Sequence, residues 1–168
     1  MARIEVVAGD LLNQPDLNVI VNPANTQMTQ AGGLARVIVD AAGEDIHRQS
    51  LQFKPLATGC AAHTGAGQLP YEAIVHAVGP VWGGGDAMEM NLLRLAHLNA
   101  IRVACQAARP ARIGFPAVSC GEFGFPVQLA AQIAVRAAAD SSEPAELVRF
   151  CLLDDNHLQA FQQAARAL

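Results

Sequence analysis

The chain has 168 residues and a mass of 17.6 kDa, which fits one domain, and a hydrophobic fraction of 52% against 15% charged residues is ample for a core. These values exclude a disordered chain. The net charge of -4 and the pI of about 5.6 argue against a broad basic surface for nucleic-acid phosphates, whereas a small phosphate ligand needs only backbone N–H groups. We therefore expect a single domain over residues 1–168, with nucleic acid not its main ligand.

The four cysteines lie far apart with no CxxC pair, so the sequence predicts neither a zinc ribbon nor a disulfide framework, and we assign no metal site and no cofactor. Residues 1–10 (MARIEVVAGD) contain no apolar signal core. No apolar run approaches the roughly 20 residues that a membrane span requires. We expect a cytoplasmic protein with reduced thiols and no membrane partner.

Short β-branched runs alternate with longer helical patterns along the chain. Strands are predicted at residues 4–7, 19–21, 73–75, 112–115 and 147–150, with a weaker candidate at 60–65. Apolar residues at helical spacing predict helices over residues 34–42, 92–107, 130–138 and 158–168, the last one opened by a cap at Asp155 or Asn156. This alternation predicts an α/β fold with parallel pairing, helices on both faces of the sheet and a ligand site at the carboxyl ends of the strands.

The first candidate site follows a buried-looking strand. Residues 19–25 (VIVNPAN) end in asparagines and lead through a polar loop to Gly32 and Gly33, where a helix begins. Backbone amides at such a turn approach a phosphate closely, because glycine has no side chain in the way, and the helix dipole favours the negative charge. The alternative is that the two glycines only permit a tight turn.

A second strand-to-helix junction, residues 114–126 (GFPAVSCGEFGFP), repeats this design. Two glycine loops on one sheet predict a diphosphate ligand. Phe123, between two glycines, is placed either to pack on a sugar or base or to anchor the loop. Cys120 has no base beside it and is interpreted as a small loop filler, and Glu122 is expected to point to solvent because it would repel the ligand.

Asp10 follows the first predicted strand in the run Gly9-Asp10-Leu11. Its carboxylate could accept a hydrogen bond from an exocyclic amine such as that of adenine, whereas an aspartate at such a place is more often a helix cap or a turn residue. His76 lies inside a strand-like run and is interpreted as a core or sheet-end histidine, and His63 has no partner in the sequence. Neither histidine is assigned a catalytic role.

Five ordered segments resemble the motifs of the macrodomain family and together span most of the chain. They are residues 9–11 (GDL), 19–25 (VIVNPAN), 32–35 (GGLA) with 41–43 (AAG), 74–82 (IVHAVGPVW) and 115–121 (FPAVSCG). The resemblance implies a three-layer α/β/α sandwich with a mixed, mostly parallel sheet of six or seven strands. It also implies a cleft across the strand ends that takes ADP-ribose or an ADP-ribosylated protein.

The resemblance implies a role for each matching residue. Asp10 would meet the adenine amine, Leu11 would offer a backbone N–H, and Asn25 would hydrogen-bond the distal ribose, with Asn22 a further ligand-binding residue at the same strand end. One side of the diphosphate would be flanked by Gly32, Gly33 and Leu34, and the other would be closed by Ser119, Cys120, Gly121, Glu122 and Phe123. Leu153 falls where many members place an aromatic residue against adenine, so we expect weaker stacking there.

The chain departs from the best-known hydrolase branch of the family, which has an aspartate and a histidine where this sequence has Ala35 and Val39. Asn25 is therefore the catalytic residue that we predict. It would orient the ribose while a water held on the ligand's own phosphate attacks the anomeric carbon of an ADP-ribosyl ester.

Three function classes follow from the sequence. We expect a hydrolase that removes mono-ADP-ribose from acidic side chains or hydrolyses related ADP-ribose esters. A non-catalytic ADP-ribose reader is the alternative. A Rossmann-type dinucleotide enzyme is disfavoured, because it requires GxGxxG after the first strand and this chain has GDLL at residues 9–12.

Overall fold

A computed structural model of the protein describes residues 2–30 and 32–168. The strands are β1 (Arg3–Ala8), β2 (Val19–Ala24), β3 (Ala61–Thr64), β4 (Ala73–Val78), β5 (Arg112–Phe115) and β6 (Leu147–Leu152). The helices are α1 (Gly33–Ala42), α2 (Glu44–Leu51), α3 (Ala87–Ala107), α4 (Val127–Asp140) and α5 (Asp155–Arg166). None of the described helices is long and apolar enough to cross a lipid bilayer.

The six strands form one sheet in the order β1-β6-β5-β2-β4-β3. Every neighbouring pair is parallel except β3 with β4, which is antiparallel. The predicted mixed, mostly parallel sheet is confirmed, with six strands. Because β1, β6, β5, β2 and β4 run in the same direction, their carboxyl ends and the loops that follow them lie at one edge of the sheet.

Helices cover both faces of the sheet, which confirms the three layers predicted. Successive side chains of β2 alternate between the faces: Val19 and Val21 pack in a cluster with residues of α3, α4 and α5, whereas Ile20 packs with residues of α1 and α2. A strand buried on both sides is apolar at nearly every position, as the VIV run is.

Some helix boundaries differ from the sequence predictions. Helix α2 was not predicted, because Ile46 is its one buried apolar residue. Helix α3 begins before Leu92, at Ala87, where the Asp86 side chain accepts a hydrogen bond from the backbone N–H of Glu89. The prediction that Asp155 or Asn156 caps α5 is wrong: the cap is Asp154, whose carboxylate accepts from the backbone N–H of His157.

Two histidines are buried in the core. His76 lies on β4 as expected for a core histidine, and His97 on α3 stacks on Phe115 with ring centroids 5.3 Å apart. Burial lowers the pKa of each imidazole to about 4. Both rings are therefore neutral near pH 7. The Nδ1–H of His97 donates to the Leu93 carbonyl at 2.8 Å, and its Nε2 has no partner among the described residues.

We predict that acid destabilises the protein through these two rings. Each has a lower pKa in the folded than in the unfolded chain, so the unfolded chain binds more protons as the pH falls from about 6.5 to about 4. The stability present above pH 6.5 is lost across that window, by up to about 3 kcal/mol for each ring. Urea unfolding at a series of pH values measures the loss.

The variant His97→Leu removes one of the two titrations and should lose markedly less stability across the window. The exposed His63 offers a control, because burial is the larger cause of the lowered pKa of His76 and the charge of His63 the smaller, so His63→Gln should keep most of the loss. A wild-type unfolding free energy that stays constant between pH 6.5 and pH 4 would contradict the prediction.

Candidate functional site

A cleft of about 600 Å³ crosses the carboxyl ends of β1, β6, β5 and β2. Its position is the one that parallel α/β sheets favour for ligands, and its volume lies within the range of small-molecule sites. It brings together all but two of the predicted site residues: Asp10, Leu11, Asn25, Gly32, Gly33, Leu34, Ser119, Gly121, Glu122, Phe123 and Leu153. What each of them does for a ligand stays a prediction.

Asn25 stands at the β2 end of the cleft and organises the loop that follows it. Its Oδ1 accepts the backbone N–H groups of Gln27 at 3.1 Å and Thr29 at 3.2 Å, and its Nδ2 donates to the Thr29 hydroxyl at 2.8 Å. One hydrogen of the Asn25 amide has no partner among the described residues. This N–H is the group that Asn25 can offer to a hydroxyl of a ligand.

The first glycine loop ends in an uncapped helix N-terminus. Helix α1 begins at Gly33, and Gly32 before it provides no side-chain cap. The N–H groups of the first turn therefore have no side-chain partner. Gly33 has a φ of +59°, which favours glycine, and a Cβ added there would meet nothing within 4 Å. The turn thus presents bare backbone to the cleft, as the phosphate interpretation of these glycines requires.

The described non-glycine residues with left-handed backbone all lie in the two loops that border the cleft. Among the described non-glycine residues, Met28 (56°), Gln30 (53°) and Ser119 (66°) have positive φ values. Ser119 is buried, and its Oγ has no partner among the described residues although it lines the cleft. A Cβ at Gly79 would overlap this Oγ, so the glycine of the 74–82 segment allows the second loop to sit on the end of β4.

Asn22 does not line the cleft, and its contact with a ligand stays a prediction. It lies on the core side of β2, fully buried, and its Nδ2 donates to Gln30 Oε1 at 2.9 Å and to His76 Nδ1 at 3.0 Å. His76 Nε2 lies 3.0 Å from the Thr64 hydroxyl, and Gln30 Nε2 lies 3.5 Å from the Ser50 hydroxyl. Asn22 therefore supports the loop from beneath.

Cys120 also lies outside the cleft lining, and its contact with a ligand likewise stays a prediction. Its side chain is half-buried against the core cluster of α3 and α4, and its Sγ lies 3.6 Å from the Val118 carbonyl. Burial raises the pKa of this thiol to about 12, which keeps it protonated. The interpretation of Cys120 as a loop filler agrees with this placement.

Glu122 has the exposed position that we expected and one further feature. Its side chain is exposed but lines the cleft, and its Oε1 lies 3.7 Å from the position that a Cβ on Gly32 would take. The carboxylate is therefore exposed, as expected, and it also faces the first glycine loop. The local sequence does not reveal this second feature, because the opposite wall of the cleft comes from a segment about 90 residues away.

The β1 end of the cleft is held by a turn bond of its own and by Tyr71, from the segment before β4. Asp10 Oδ1 accepts the Leu12 N–H at 2.9 Å, as a turn residue does, and its second carboxylate oxygen stays available. The Tyr71 hydroxyl donates to the Leu11 carbonyl and accepts the Gln14 N–H. These bonds tie the predicted adenine-binding segment to the sheet.

Other residues that line the cleft were not predicted from the sequence. Thr29 and Gln30 come from the loop after Asn25, and Asp154 and His157 come from the loop after β6 and the first turn of α5. Their position after strands was the available signal, because ligand sites of parallel sheets form there. Among the described lining residues none is a lysine or an arginine.

A larger groove of about 740 Å³ lies on the other side of the molecule, between α3, α4 and α5. It is mainly apolar, and its cations are Arg94 and Arg136. No strand-end loop and no glycine reaches it. The groove therefore offers no set of converging backbone N–H groups, and the strand-end cleft is the candidate site.

A family model described as the Macro domain matches residues 21–134. The chain belongs to the macrodomain family. A protein of Enterobacter sp. (strain 638) named O-acetyl-ADP-ribose deacetylase is 39% identical over 168 residues, which cover 96% of this chain and 92% of that protein. The protein of the same name from Escherichia coli K12 is 40% identical over 142 residues, 82% of this chain and 79% of that one.

Solved macrodomains share the fold over almost the whole chain. The macrodomain of Oceanobacillus iheyensis with ADP superposes with a TM-score of 0.89 at 29% identity, covering 98% of this chain and 90% of that one. The Trypanosoma brucei macrodomain in complex with ADP-ribose gives a TM-score of 0.82 at 27% identity, covering 95% of this chain and 68% of that one. The fold and family predicted from the sequence are thereby confirmed.

We predict that the buried side chain of Gln30 holds the first loop of this macrodomain in place. Gln30→Ala would leave the Asn22 amide with His76 as its one remaining acceptor, and the lost buried bond should cost about 1 to 3 kcal/mol of unfolding free energy. Urea unfolding measures the change. Gln27→Ala is the matched control, because Gln27 is an exposed side chain of the same loop. Equal stability of the two variants would refute this role of Gln30.

Proposed function

We propose that this macrodomain binds ADP-ribose along the strand-end cleft and hydrolyses esters of ADP-ribose. The observation that carries the proposal is the arrangement of two bare glycine loops on opposite walls of the cleft, between Asp10 at one end and Asn25 at the other. This order of groups along the cleft matches a ligand with a diphosphate in its middle and a polar group at each end. The deacetylase names of the relatives point to an acetyl ester as one substrate.

The cleft would hold the diphosphate through the backbone and not through charged side chains. The first turn of α1 lines the cleft, and the helix dipole adds positive potential there. The free carboxylate oxygen of Asp10 would accept from the adenine amine. The free N–H of Asn25 would donate to the distal ribose and fix the ester relative to an attacking water.

Hydrolysis requires only water as co-reactant. In place of the attack on the anomeric carbon expected from the sequence, the water oxygen bonds to the ester carbonyl carbon, the bond from that carbon to the ribose oxygen breaks, and the products are the free acid and the ribose hydroxyl. Mono-ADP-ribose on an acidic protein side chain is a second substrate of this kind that we propose, because its linkage is also an ester. Ala35 and Val39 on α1 supply no acid or base, so Asn25 acts by orienting the substrate.

We predict that Asn25→Asp weakens ADP-ribose binding about tenfold, because it removes the N–H donor and adds a negative charge, and slows acetate release further. This variant keeps the oxygen that accepts the loop N–H groups, so the loop stays folded. Isothermal titration with ADP-ribose and an acetate-release assay on O-acetyl-ADP-ribose are the measurements. A release assay on a mono-ADP-ribosylated glutamate peptide tests the second substrate.

The matched control is Asn91→Ala, since Asn91 lines the distant groove between α3, α4 and α5. It should bind and turn over like the wild type. A wild-type protein that binds ADP-ribose but leaves both substrates intact at high enzyme concentration is a reader and not a hydrolase. A wild-type protein that does not bind ADP-ribose contradicts the whole proposal.

A further inference from the structure

The cleft contains three carboxylates, and only one of them is uncommitted. Asp10 accepts a hydrogen bond from the Leu12 backbone, and Asp154 caps α5. Both lie at the β1 and β6 end of the cleft. Glu122 makes no hydrogen bond or salt bridge within the described part of the chain, and it lies on the loop after β5, facing Gly32. Its carboxylate is therefore free to act on a bound molecule or water.

Glu122 lies at the β5 and β2 end of the cleft, where the reaction would occur. Strand β2 lies next to β5, so the loop that carries Glu122 faces the loop between Asn25 and Gly33. The distal ribose is the part of the ligand that Asn25 would bind in the proposed function. Glu122 borders the cleft opposite Gly32, and Asn25 lies at the end of β2 in the segment that leads to Gly32, so a distal ribose bound at Asn25 would lie on the side of the cleft that Glu122 borders.

The other groups near this end of the cleft cannot accept a proton near pH 7. The Cys120 thiol has a pKa of about 12 and lies outside the lining. His76 is buried beneath the loop, where both ring nitrogens have side-chain partners. Ala35 and Val39 carry no titratable group, and the Ser119 hydroxyl is not a base at this pH. Glu122 is the remaining candidate for a general base.

We infer that Glu122 is the general base of ester hydrolysis, an inference that rests on the proposed function. Its carboxylate takes a proton from the water whose oxygen bonds to the ester carbonyl carbon. When the bond to the ribose oxygen breaks, the protonated Glu122 returns that proton to the ribose oxygen. The carboxylate is regenerated, one water is consumed, and the product acid gives its own proton to solvent.

The same placement predicts an opposite effect on binding. A carboxylate between the two glycine loops repels the diphosphate, so removing its charge should strengthen ADP-ribose binding. A residue that only helps to hold the ligand would do the reverse. Binding and turnover therefore separate the catalytic role of Glu122 from a structural one.

The test compares the wild type with Glu122→Gln for ADP-ribose affinity by isothermal titration and for kcat of acetate release from O-acetyl-ADP-ribose. We expect equal or tighter binding and a kcat lower by about 10² or more, the usual contribution of a general base. Formate added to Glu122→Ala should restore part of the turnover, because a small carboxylate can occupy the vacated space.

The dependence of kcat on pH gives an independent readout. The other titratable groups that line the cleft are Asp10, Asp154 and His157. If Glu122 is the base, the ratio of wild-type kcat to that of Glu122→Gln falls as the pH is lowered, whereas the ratio of wild-type kcat to that of Asp10→Asn does not, and both ratios cancel the loss of folded protein that acid causes. Turnover by Glu122→Gln at the wild-type rate overturns this inference and leaves the proposed function standing, whereas a wild type without turnover overturns both.

Discussion

The parallel pairing of β2 with β5, of β5 with β6 and of β6 with β1 brings the carboxyl ends of four strands to one edge of the sheet. Helices on both faces leave these ends as the place where polar backbone can remain open. Segments that are far apart in the sequence, such as residues 9–11 and 115–124, become neighbours there. The direction of the strands therefore determines where the cleft lies, and the side chains determine what it can bind.

The cleft suits an anion although the protein is acidic. Its described lining has no lysine or arginine, so a phosphate must be recognised by N–H groups that helix geometry leaves unpaired. Such recognition requires backbone in unusual conformations. The positive φ values of Met28, Gln30 and Ser119 are maintained by burial and by the hydrogen bonds of Asn22 and Gln30 beneath the loop.

Features set by local sequence could be predicted. The apolar runs gave the strands, and the glycines next to predicted helix starts gave the two loops and most of the cleft lining. Helix α2 could not be found, because its short stripe has a single buried apolar residue, Ile46. The true partners of Asn22 lie 8 and 54 residues away in the chain, so its burial among them could not be inferred from the strand end on which it lies.

For Glu122 too, the sequence neighbours predicted one feature of its environment, and a residue far away in the chain determines the other. Its neighbours Gly121 and Phe123 indicated a ligand loop, and charge repulsion suggested that the carboxylate would turn away from it. The structure places that carboxylate opposite Gly32, and this distance depends on how two loops face each other across the sheet. Charge repulsion alone predicts that a carboxylate avoids a phosphate site. A catalytic carboxylate can be placed there nonetheless, because catalysis and affinity require different residues at the same position.

A crystal structure of the complex with ADP-ribose tests the central claim most directly. The account predicts that the diphosphate lies between the two glycine loops, within hydrogen-bond distance of the first-turn N–H groups of α1, with adenine near Asp10 and the distal ribose near Asn25. ADP-ribose bound instead in the groove between α3, α4 and α5, or in the cleft with its ends reversed, would contradict it.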